Sequence, residues 1–392
     1  MSHKLISHSP DLKKLRDEGY EIEIKNAHLL VHSVPYVNAK REIARGILVS
    51  PLGDLAGDRT AKPQDHVIHF AGEHPCDNAG NLIKGIQHSS GRKTLAEGVD
   101  VDHSFSNKPS NGYADYYEKV TTYVKIIESQ AQSIDHSVTA KTFKVIESND
   151  PDIVFHYLDT NSSRAEIETI SAKLKDLKIT IIGLGGTGSY VLDFVTKTQV
   201  KEIHLFDEDY FHSHNAFRAP GAASLEMLRE QPKKVAYLHG IYSRLHKHVI
   251  PHEYHLTATT LEELAGMNFV FICIDEGKIK KEIIQKLTTL AIPFVDIGIG
   301  INEIDGLLTG SVRVTTATPA KNDHIEKLVS FSDGNNDDYD KNVQIAEINA
   351  LNAALAVIKW KKLFGFYHDL GKEHHSVYDI NVNKLINNEI VS

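Results

Sequence analysis

Cysteine is scarce in this 392-residue sequence, which contains only Cys76 and Cys273. Two thiols cannot form a disulfide framework or a four-thiolate zinc site. The sequence also lacks any apolar run approaching the roughly 18 residues that a membrane-spanning helix needs. Its first residues, MSHKLISHSP, do not resemble a signal peptide. Together these absences predict a protein of the reducing cytoplasm that makes no use of a membrane.

An excess of positive charge is also missing. Lysine and arginine total 43 against 52 aspartate and glutamate residues, which gives a formal net charge of -9. Such a balance argues against nucleic acid or an anionic membrane surface as a partner. The 23 histidines are abundant, but the densest group, HKHVIPHEYH at 246–255, has a strand-like alternation and no carboxylate or thiolate at ligand spacing. We therefore expect a solvated strand face there rather than a metal site.

The pattern of predicted strands, turns and helices changes near residue 160. Before it, short strand-like pieces are separated by Gly, Pro, Asn and Asp, and one amphipathic helix is expected over 113–135 with a stripe of tyrosines packed in the core. Residues 1–160 are thus predicted to form an α+β domain.

From residue 161 to 392, apolar strands alternate with helices. Helices are expected at 165–176 and 224–244, a strand near 252–257, and a buried helix over 343–364. The clearest strands are KITIIG, EIHLFD, FVFICID and PFVDIGIG. Continuous apolar strands separated by helices predict an α/β domain with a Rossmann-like, mostly parallel sheet covered by helices on both faces.

A glycine-rich turn lies between the first of these strands and the next helix. Its glycines allow a tight turn and a close approach to phosphate, and the helix N-terminus adds free N–H groups. They are Gly183, Gly185, Gly186 and Gly188. Asp207, at the end of the next strand, is placed to bind ribose hydroxyls. These features suit NAD or FAD as well as ATP, so a dehydrogenase is the natural rival interpretation.

Four further residues favour a triphosphate. Asn215 and Arg218 follow Asp207 in the run DEDYFHSHNAFR, Lys233 lies in QPKK, and Asp275 ends FVFICID. Cations neutralise the β- and γ-phosphates, and a carboxylate holds Mg²⁺ against the polyphosphate. A dinucleotide site has no need for this set.

In this order the residues resemble the ThiF/MoeB/ubiquitin-activating superfamily, whose pattern is GxGGxG, DxDxxxxxNxxR, PK and a strand-ending D. The resemblance covers 165–365 and includes Asp209. It implies ribose binding by Asp207, triphosphate contacts by Asn215, Arg218 and Lys233, and Mg²⁺ binding by Asp275. It further implies a homodimer in which Arg164 reaches the partner subunit's ATP site; a solvated arginine at a helix start is the alternative.

The reaction implied by the resemblance is adenylation of a carboxylate by ATP. Family substrates are ubiquitin-like proteins with a Gly-Gly tail, which passes under a crossover loop, here expected at 317–342. A conjugating enzyme is the implied downstream partner. Alternative substrates are a small peptide or an RNA-linked carboxylate, and a non-catalytic ATP-binding scaffold is a third interpretation.

The chain departs from many relatives in its cysteines. No cysteine follows Cys273, which is predicted to be a buried, inert thiol in a strand, so a thioester within this domain is not expected. Cys76 lies in a loop-like segment where His74 and His69 could favour a thiolate; an incidental cysteine is the alternative. The first domain resembles one that precedes ThiF modules in bacterial gene clusters for ubiquitin-like proteins, which implies a recruiting role.

Overall fold

The computed structural model describes residues 2–53, 55–148, 151–331 and 343–387. It divides into two compact units, Met1–Ile146 and Glu147–Ser392. The segment just after Ile146 belongs to the second unit because it pairs there: Phe155 bridges His246, and Lys247 Nζ donates to the carbonyl of Ile153 at 2.9 Å. The domain boundary predicted at residue 160 instead marks where strands and helices begin to alternate.

The first unit contains an antiparallel sheet in the order β1-β2-β3-β6-β8-β7, against which helix α3 packs. The predicted tyrosine stripe lies in its core, where Tyr116 and Tyr123 are buried. Its elements are α1 (Ser2–His8), α2 (Pro10–Asp17), β1 (Ile22–Lys25), β2 (His28–Val37), β3 (Ile43–Pro51), β4 (Leu55–Ala56), β5 (Arg59–Thr60), β6 (Val67–Ala71), β7 (Gln87–Ala96), β8 (Val99–Ser106) and α3 (Tyr116–Gln132).

The second unit begins with two short helices and alternates thereafter. Its elements are α4 (Thr160–Arg164), α5 (Glu168–Ser171), β9 (Lys178–Ile182), α6 (Gly186–Val195), β10 (Glu202–Phe206), α7 (Ser213–Ala216), α8 (Leu225–Glu230), α9 (Lys234–Tyr242), β11 (Val249–His252), β12 (Phe269–Ile272), α10 (Gly277–Thr289), β13 (Phe294–Ile304), β14 (Leu307–Ala317), α11 (Ile325–Leu328), α12 (Ala346–Leu363), β15 (His375–Asp379) and β16 (Lys384–Asn387).

The sheet of the second unit has the order β11-β10-β9-β12-β13-β14-β15-β16. The five strands from β11 to β13 are parallel, and the last three strands are antiparallel. One hydrophobic cluster contains residues of α6, α9 and α12, and a second contains residues of α10. The predicted mostly parallel sheet with helices on both faces is confirmed; its antiparallel extension was not predicted.

Several predicted element bounds are wrong in detail. The helix expected at 224–244 is two helices, α8 and α9, because Gln231 has a φ of 46° and Pro232 lacks the N–H that would continue the helix. The helix expected at 165–176 is the short α5 followed by a 3₁₀ turn at Ala172–Leu174. The strand near 252–257 is β11, Val249–His252.

The expected solvated face is wrong for His246 but not for His248, which is exposed. His246 is fully buried; its Nε2–H donates to the carbonyl of Val200 at 2.9 Å, and its Nδ1 accepts from the N–H of His248 at 3.1 Å. Burial lowers the pKa of His246 to about 4, because the charged imidazolium is poorly solvated there. In the described part of the chain, no helix combines the length and the apolar character needed to cross a membrane.

The central strands end in register at one edge of the sheet. Ile182 of β9 pairs with both Phe206 of β10 and Ile272 of β12, and Ile272 pairs with Asp296 of β13. These four residues form a single row, so the residues that follow them emerge side by side. In open α/β sheets, ligands bind in the crevice outside this carboxyl edge.

Candidate functional site

The glycine turn emerges from this edge and depends on two close backbone approaches. Gly183 has a φ of +86°, and a Cβ there would lie 2.7 Å from the carbonyl oxygen of Cys273. A Cβ at Gly188 would lie 1.9 Å from the carbonyl oxygen of Gly183. Neither position can carry a side chain without moving the backbone, so the turn brings α6 directly against the ends of β9 and β12.

The outer side of the turn is open. Gly185 immediately precedes α6, and apart from Gly185 and its two chain neighbours no described residue lies within 4 Å of the position that its Cβ would take. The first N–H groups of a helix have no intrahelical partners and attract anions. A phosphate can therefore approach the backbone here, as predicted for a nucleotide site.

Asp207 fixes the turn from the neighbouring strand. Its side chain is buried; Oδ2 accepts from the N–H of Leu184 at 2.6 Å, and Oδ1 accepts from the N–H of Asp209 at 2.8 Å. Each carboxylate oxygen can accept a second hydrogen bond. Asp207 thus retains capacity for the predicted ribose contact while it shapes the glycine turn.

The structure brings Lys234, the neighbour of the predicted Lys233, onto the two carboxylates. Lys234 Nζ lies 2.6 Å from Asp209 Oδ2 and 3.7 Å from Asp207 Oδ2. Burial acts to raise the pKa of Asp209, but the hydrogen bond and charge of Lys234 leave this pKa below its ordinary value. Lys233 points elsewhere: its Nζ donates to the carbonyl of Glu253 at 3.2 Å. The sequence QPKK gave no means of ranking the two lysines.

One group of metal-ligating side chains is present among the described residues. Ligand atoms of Asp207, Asp209 and His255 lie within 4.8 Å of one another. The ammonium of Lys234 already lies against both carboxylates, however, so one of their two negative charges is balanced without an ion. Asp275, predicted to hold Mg²⁺, does not belong to this group.

Asn215 and Arg218 lie in the segment that follows β10. Asn215 is buried, and its Oδ1 accepts from the N–H of His212 at 2.8 Å, which closes the first turn of α7. The guanidinium of Arg218 is half-buried, and its Nε has no hydrogen-bond partner among the described residues. Burial lowers the pKa of Arg218, and the charge of Asp275 opposes that shift. The arginine and the carboxylate predicted for the triphosphate are therefore electrostatic neighbours.

Asn349 is a part of the site that the sequence did not indicate. It lies on α12, fully buried, and a Cβ on Gly186 would lie 2.1 Å from its Nδ2. Its Oδ1 accepts from Thr187 Oγ1 at 2.9 Å, and its Nδ2 donates to the carbonyl of Arg218 at 3.4 Å. A buried asparagine in an apolar helix was the available signal, because such a group needs hydrogen-bond partners.

Comparison with known proteins now assigns the second unit. Residues 167–364 match the model of the ThiF family. The chain belongs to the ThiF family. Membership supports adenylyltransferase activity in general. Residues 10–160 match a domain of unknown function, DUF6791. A search among curated proteins found no match.

Two solved structures similar to this chain are PaaA and MccB of E. coli crystallised with ATP. PaaA is 19% identical with a TM-score of 0.44, over 57% of this chain and 75% of PaaA. MccB with ATP is 17% identical with a TM-score of 0.47, over 59% of this chain and 69% of MccB.

Arg164 ends α4 with an exposed side chain. In the described part of the chain this side chain forms no hydrogen bond or ion pair, with the residues of the ThiF site or with any others. Part of the predicted crossover loop, 332–342, lies outside the described residues. Its first part contains α11, where His324 is buried and its Nε2 contacts the carbonyl oxygen of Thr316 at 3.0 Å.

Neither thiol of the chain is set up as a nucleophile. Cys273 is half-buried and directly follows β12 rather than lying within the strand; desolvation raises its pKa, in agreement with the predicted inert thiol. Cys76 is buried, and its pKa is raised by burial and by the negative charges of Asp77 and Glu73. The expectation that His74 and His69 favour a thiolate at Cys76 is wrong, because burial and the acidic neighbours outweigh them.

Proposed function

We propose that this ThiF domain uses Mg²⁺ and ATP to adenylate the C-terminal carboxylate of a ubiquitin-like protein. One observation carries the proposal: the half-buried guanidinium of Arg218, with an unpartnered Nε, next to Asp275 beyond the glycine turn. A half-buried cation is stabilised by an anion, and the open turn at Gly185 admits a polyphosphate. A dinucleotide site has no comparable need for this pair.

In the proposed reaction, a carboxylate oxygen attacks the α-phosphorus of ATP. The bond from that phosphorus to the bridging oxygen of the β-phosphate breaks, and pyrophosphate leaves with the bonding electrons. The acyl-adenylate forms without a covalent enzyme intermediate. The protein contributes positioning and charge stabilisation, since charge develops on phosphate oxygens rather than on a side chain.

The positioning and the charge stabilisation are assigned to the following groups. The N–H groups at the start of α6 and the guanidinium of Arg218 contact the phosphates, and Lys233 would join them by giving up its hydrogen bond to the carbonyl of Glu253. Asp207 accepts from the ribose. Asp275 is exposed, as a carboxylate that holds Mg²⁺ together with water must be; bound there, Mg²⁺ would neutralise phosphate charge.

The acceptor of the activated acyl group is proposed to be a separate protein, such as a conjugating enzyme. The raised pKa values of Cys76 and Cys273 argue against either thiol. Hydroxyls at Thr309 and Ser311 are the alternative within the chain. A reductant-sensitive adduct on denaturing gels that disappears in Cys76→Ala would reverse this assignment. We propose that the first unit recruits one of these proteins.

The deciding experiment is substrate-dependent exchange of labelled pyrophosphate into ATP. Asp275→Asn is expected to lower exchange on the order of a hundredfold or more without changing the fold. Asp176→Asn is the matched control, since Asp176 is an exposed carboxylate just before β9 at the opposite edge of the sheet. Wild-type exchange in Asp275→Asn would refute the role of Asp275.

The same assay separates the alternatives. Exchange driven by a short peptide but not by a ubiquitin-like protein would make the peptide the substrate class. ATP binding by calorimetry without exchange for any carboxylate would indicate a scaffold subunit. Retention of Arg218, Lys233 and Asp275 together argues against such a scaffold.

A further inference from the structure

A second group of charges lies at the same edge of the sheet, outside the predicted site. Asp296 of β13 is fully buried. Lys280 Nζ, from α10, lies 3.2 Å from its Oδ1, and Arg313 Nη2, from β14, lies 2.5 Å from its Oδ2. These three residues are called the Asp296 cluster below.

The Asp296 cluster carries one positive charge too many. A single carboxylate faces two cations, and no other carboxylate contacts Lys280 or Arg313 in the described part of the chain. The remaining neighbours of Arg313 are neutral: its Nη1 donates to Thr315 Oγ1 at 2.6 Å, and burial together with the charge of Arg313 lowers the pKa of His375. A partly buried charge without a counter-ion is unfavourable.

Arg313 is the member of the cluster that a ligand can reach. Its side chain is 20% exposed, against 6% for Lys280 and 0% for Asp296. Lys280 alone can neutralise Asp296, so the guanidinium of Arg313 provides the surplus charge at the accessible side. A guanidinium presents several N–H donors in a planar fork that matches a carboxylate.

The register places Arg313 near the nucleotide site. Asp296 lies in the row of Ile182, Phe206 and Ile272, and Arg313 pairs with Gly298, two residues further along β13. Since its guanidinium reaches back to Asp296, it lies above β13, one strand from β12. Neighbouring strands are about 4.8 Å apart, so the guanidinium is adjacent to the segment that leads to Asp275.

Gly298, on the neighbouring strand, leaves room for the guanidinium of Arg313. A Cβ at Gly298 would lie 2.7 Å from Arg313 Nη2, so a side chain at this position would displace the guanidinium from its place across the strand. The carbonyl of Gly298 accepts from Asn352 Nδ2 at 2.9 Å, which holds this part of β13 against α12. The absence of a side chain at Gly298 thus leaves room for the guanidinium over β13.

We propose that Arg313 binds the carboxylate of the acyl substrate and holds it beside the nucleotide. This inference rests on the proposed adenylation, in which two anions, the carboxylate and the triphosphate, must approach each other. A fixed guanidinium with surplus charge offsets that repulsion. Asp296 orients the guanidinium, and Lys280 keeps Asp296 from cancelling its charge.

The test measures recognition of the carboxylate without turnover. A fluorescein-labelled short peptide ending in Gly-Gly is compared with the same peptide bearing a C-terminal amide, by anisotropy in the presence of a non-hydrolysable ATP analogue. The wild type is expected to bind the carboxylate at least about tenfold more tightly. Arg313→Met should abolish the preference and leave affinity for the ATP analogue unchanged. Arg313→Lys should retain part of the preference, because it keeps the charge but not the fork.

Lys359→Met is the matched control. Lys359 is also a buried cation paired with a carboxylate, 3.0 Å from Asp369 Oδ2, but it lies on α12 away from the cluster, so this variant should keep the preference. A preference that persists in Arg313→Met, or is absent from the wild type, overturns the inference. If no carboxylate drives pyrophosphate exchange but the preference still depends on Arg313, then adenylation fails and the carboxylate site stands.

Discussion

Thr187 Oγ1 donates a 2.9 Å hydrogen bond to Asn349 Oδ1 and so joins the first turn of α6 to α12, across 162 positions of the sequence. The same asparagine lies against Gly186 and donates to the carbonyl of Arg218. One buried amide thereby links the glycine turn to the segment that carries the candidate phosphate-binding arginine.

Because of this link, Asn349→Ala is expected to weaken ATP binding as well as the fold. Loss of the amide leaves Thr187 and the carbonyl of Arg218 without their partner, at a cost of about 1–3 kcal/mol, and frees Arg218 to move. We expect the KM for ATP in pyrophosphate exchange to rise about tenfold.

The matched control for this variant is Asn352→Ala. Asn352 is equally buried on the same helix but donates to Gly298 instead. It should lower the melting temperature by a similar amount without raising the KM for ATP. Equal KM values in the two variants would mean that Asn349 is structural only.

Substitutions of the adjacent Lys233 and Lys234 should likewise differ in their effects on stability and on pyrophosphate exchange. Lys234→Met leaves Asp207 and Asp209 unpaired and is expected to destabilise the second unit by about 2 kcal/mol. Lys233→Met removes a half-buried side chain with one carbonyl partner and should leave stability nearly unchanged while lowering exchange. Thermal unfolding and exchange kinetics on both variants test this. Unchanged exchange in Lys233→Met would remove Lys233 from the site.

The sequence predicted what depends on local pattern. The parallel strands and the glycine turn follow from apolar periodicity and from glycines at positions that tolerate no Cβ, so both could be predicted. The pairing of Lys234 with Asp209 and of Asn349 with Thr187 depends on which way a side chain turns after folding. The Asp296 cluster joins three elements distant in sequence, and no periodicity marks such a contact. The burial of His246 was missed because this residue precedes β11 and bridges the distant Phe155, which the alternation of the segment does not reveal.

The burial of His246 leads to a prediction about how the stability of the second unit depends on pH. The pKa of His246 is lowered by burial to about 4 in the folded protein, against about 6.5 in an unfolded chain. The unfolded state therefore binds the proton first, and the stability that His246 contributes is complete above pH 6.5 and is lost as the pH falls towards 4. The second unit should be about 2 kcal/mol less stable at pH 5 than at pH 7 on this account.

Urea unfolding followed by tryptophan fluorescence measures this difference. The only tryptophan of the sequence, Trp360, is buried in the second unit and reports on it alone. His246→Gln can still donate to Val200, and it should remove most of the pH dependence. His368→Gln, which replaces an exposed histidine, should leave the pH dependence unchanged. The same slope in all three proteins would rule out His246 as its source.

The exposure of Arg164 leads to a prediction about the oligomeric state of the chain. Its side chain is exposed at the end of α4, and among the described residues it forms no hydrogen bond or ion pair with the site of its own chain. We propose that the chain forms a two-fold homodimer in which Arg164 completes the partner subunit's site. Closed two-fold dimers are the commonest oligomers. Arg164→Ala should then be inactive alone, as should Asp275→Asn.

Mixing the two inactive proteins distinguishes action across the dimer from action within one chain. In a mixed dimer, the site with an intact Asp275 receives Arg164 from the Asp275→Asn subunit, so one of the two sites works. Random exchange of equal amounts makes half of the dimers mixed, which gives about a quarter of wild-type activity. Arg218→Ala mixed with Asp275→Asn is the control, because both changes fall in one site and no exchange of subunits can restore it. If differently tagged subunits exchange and activity still does not return, Arg164 does not act across the dimer; a monomer in sedimentation would exclude the arrangement altogether.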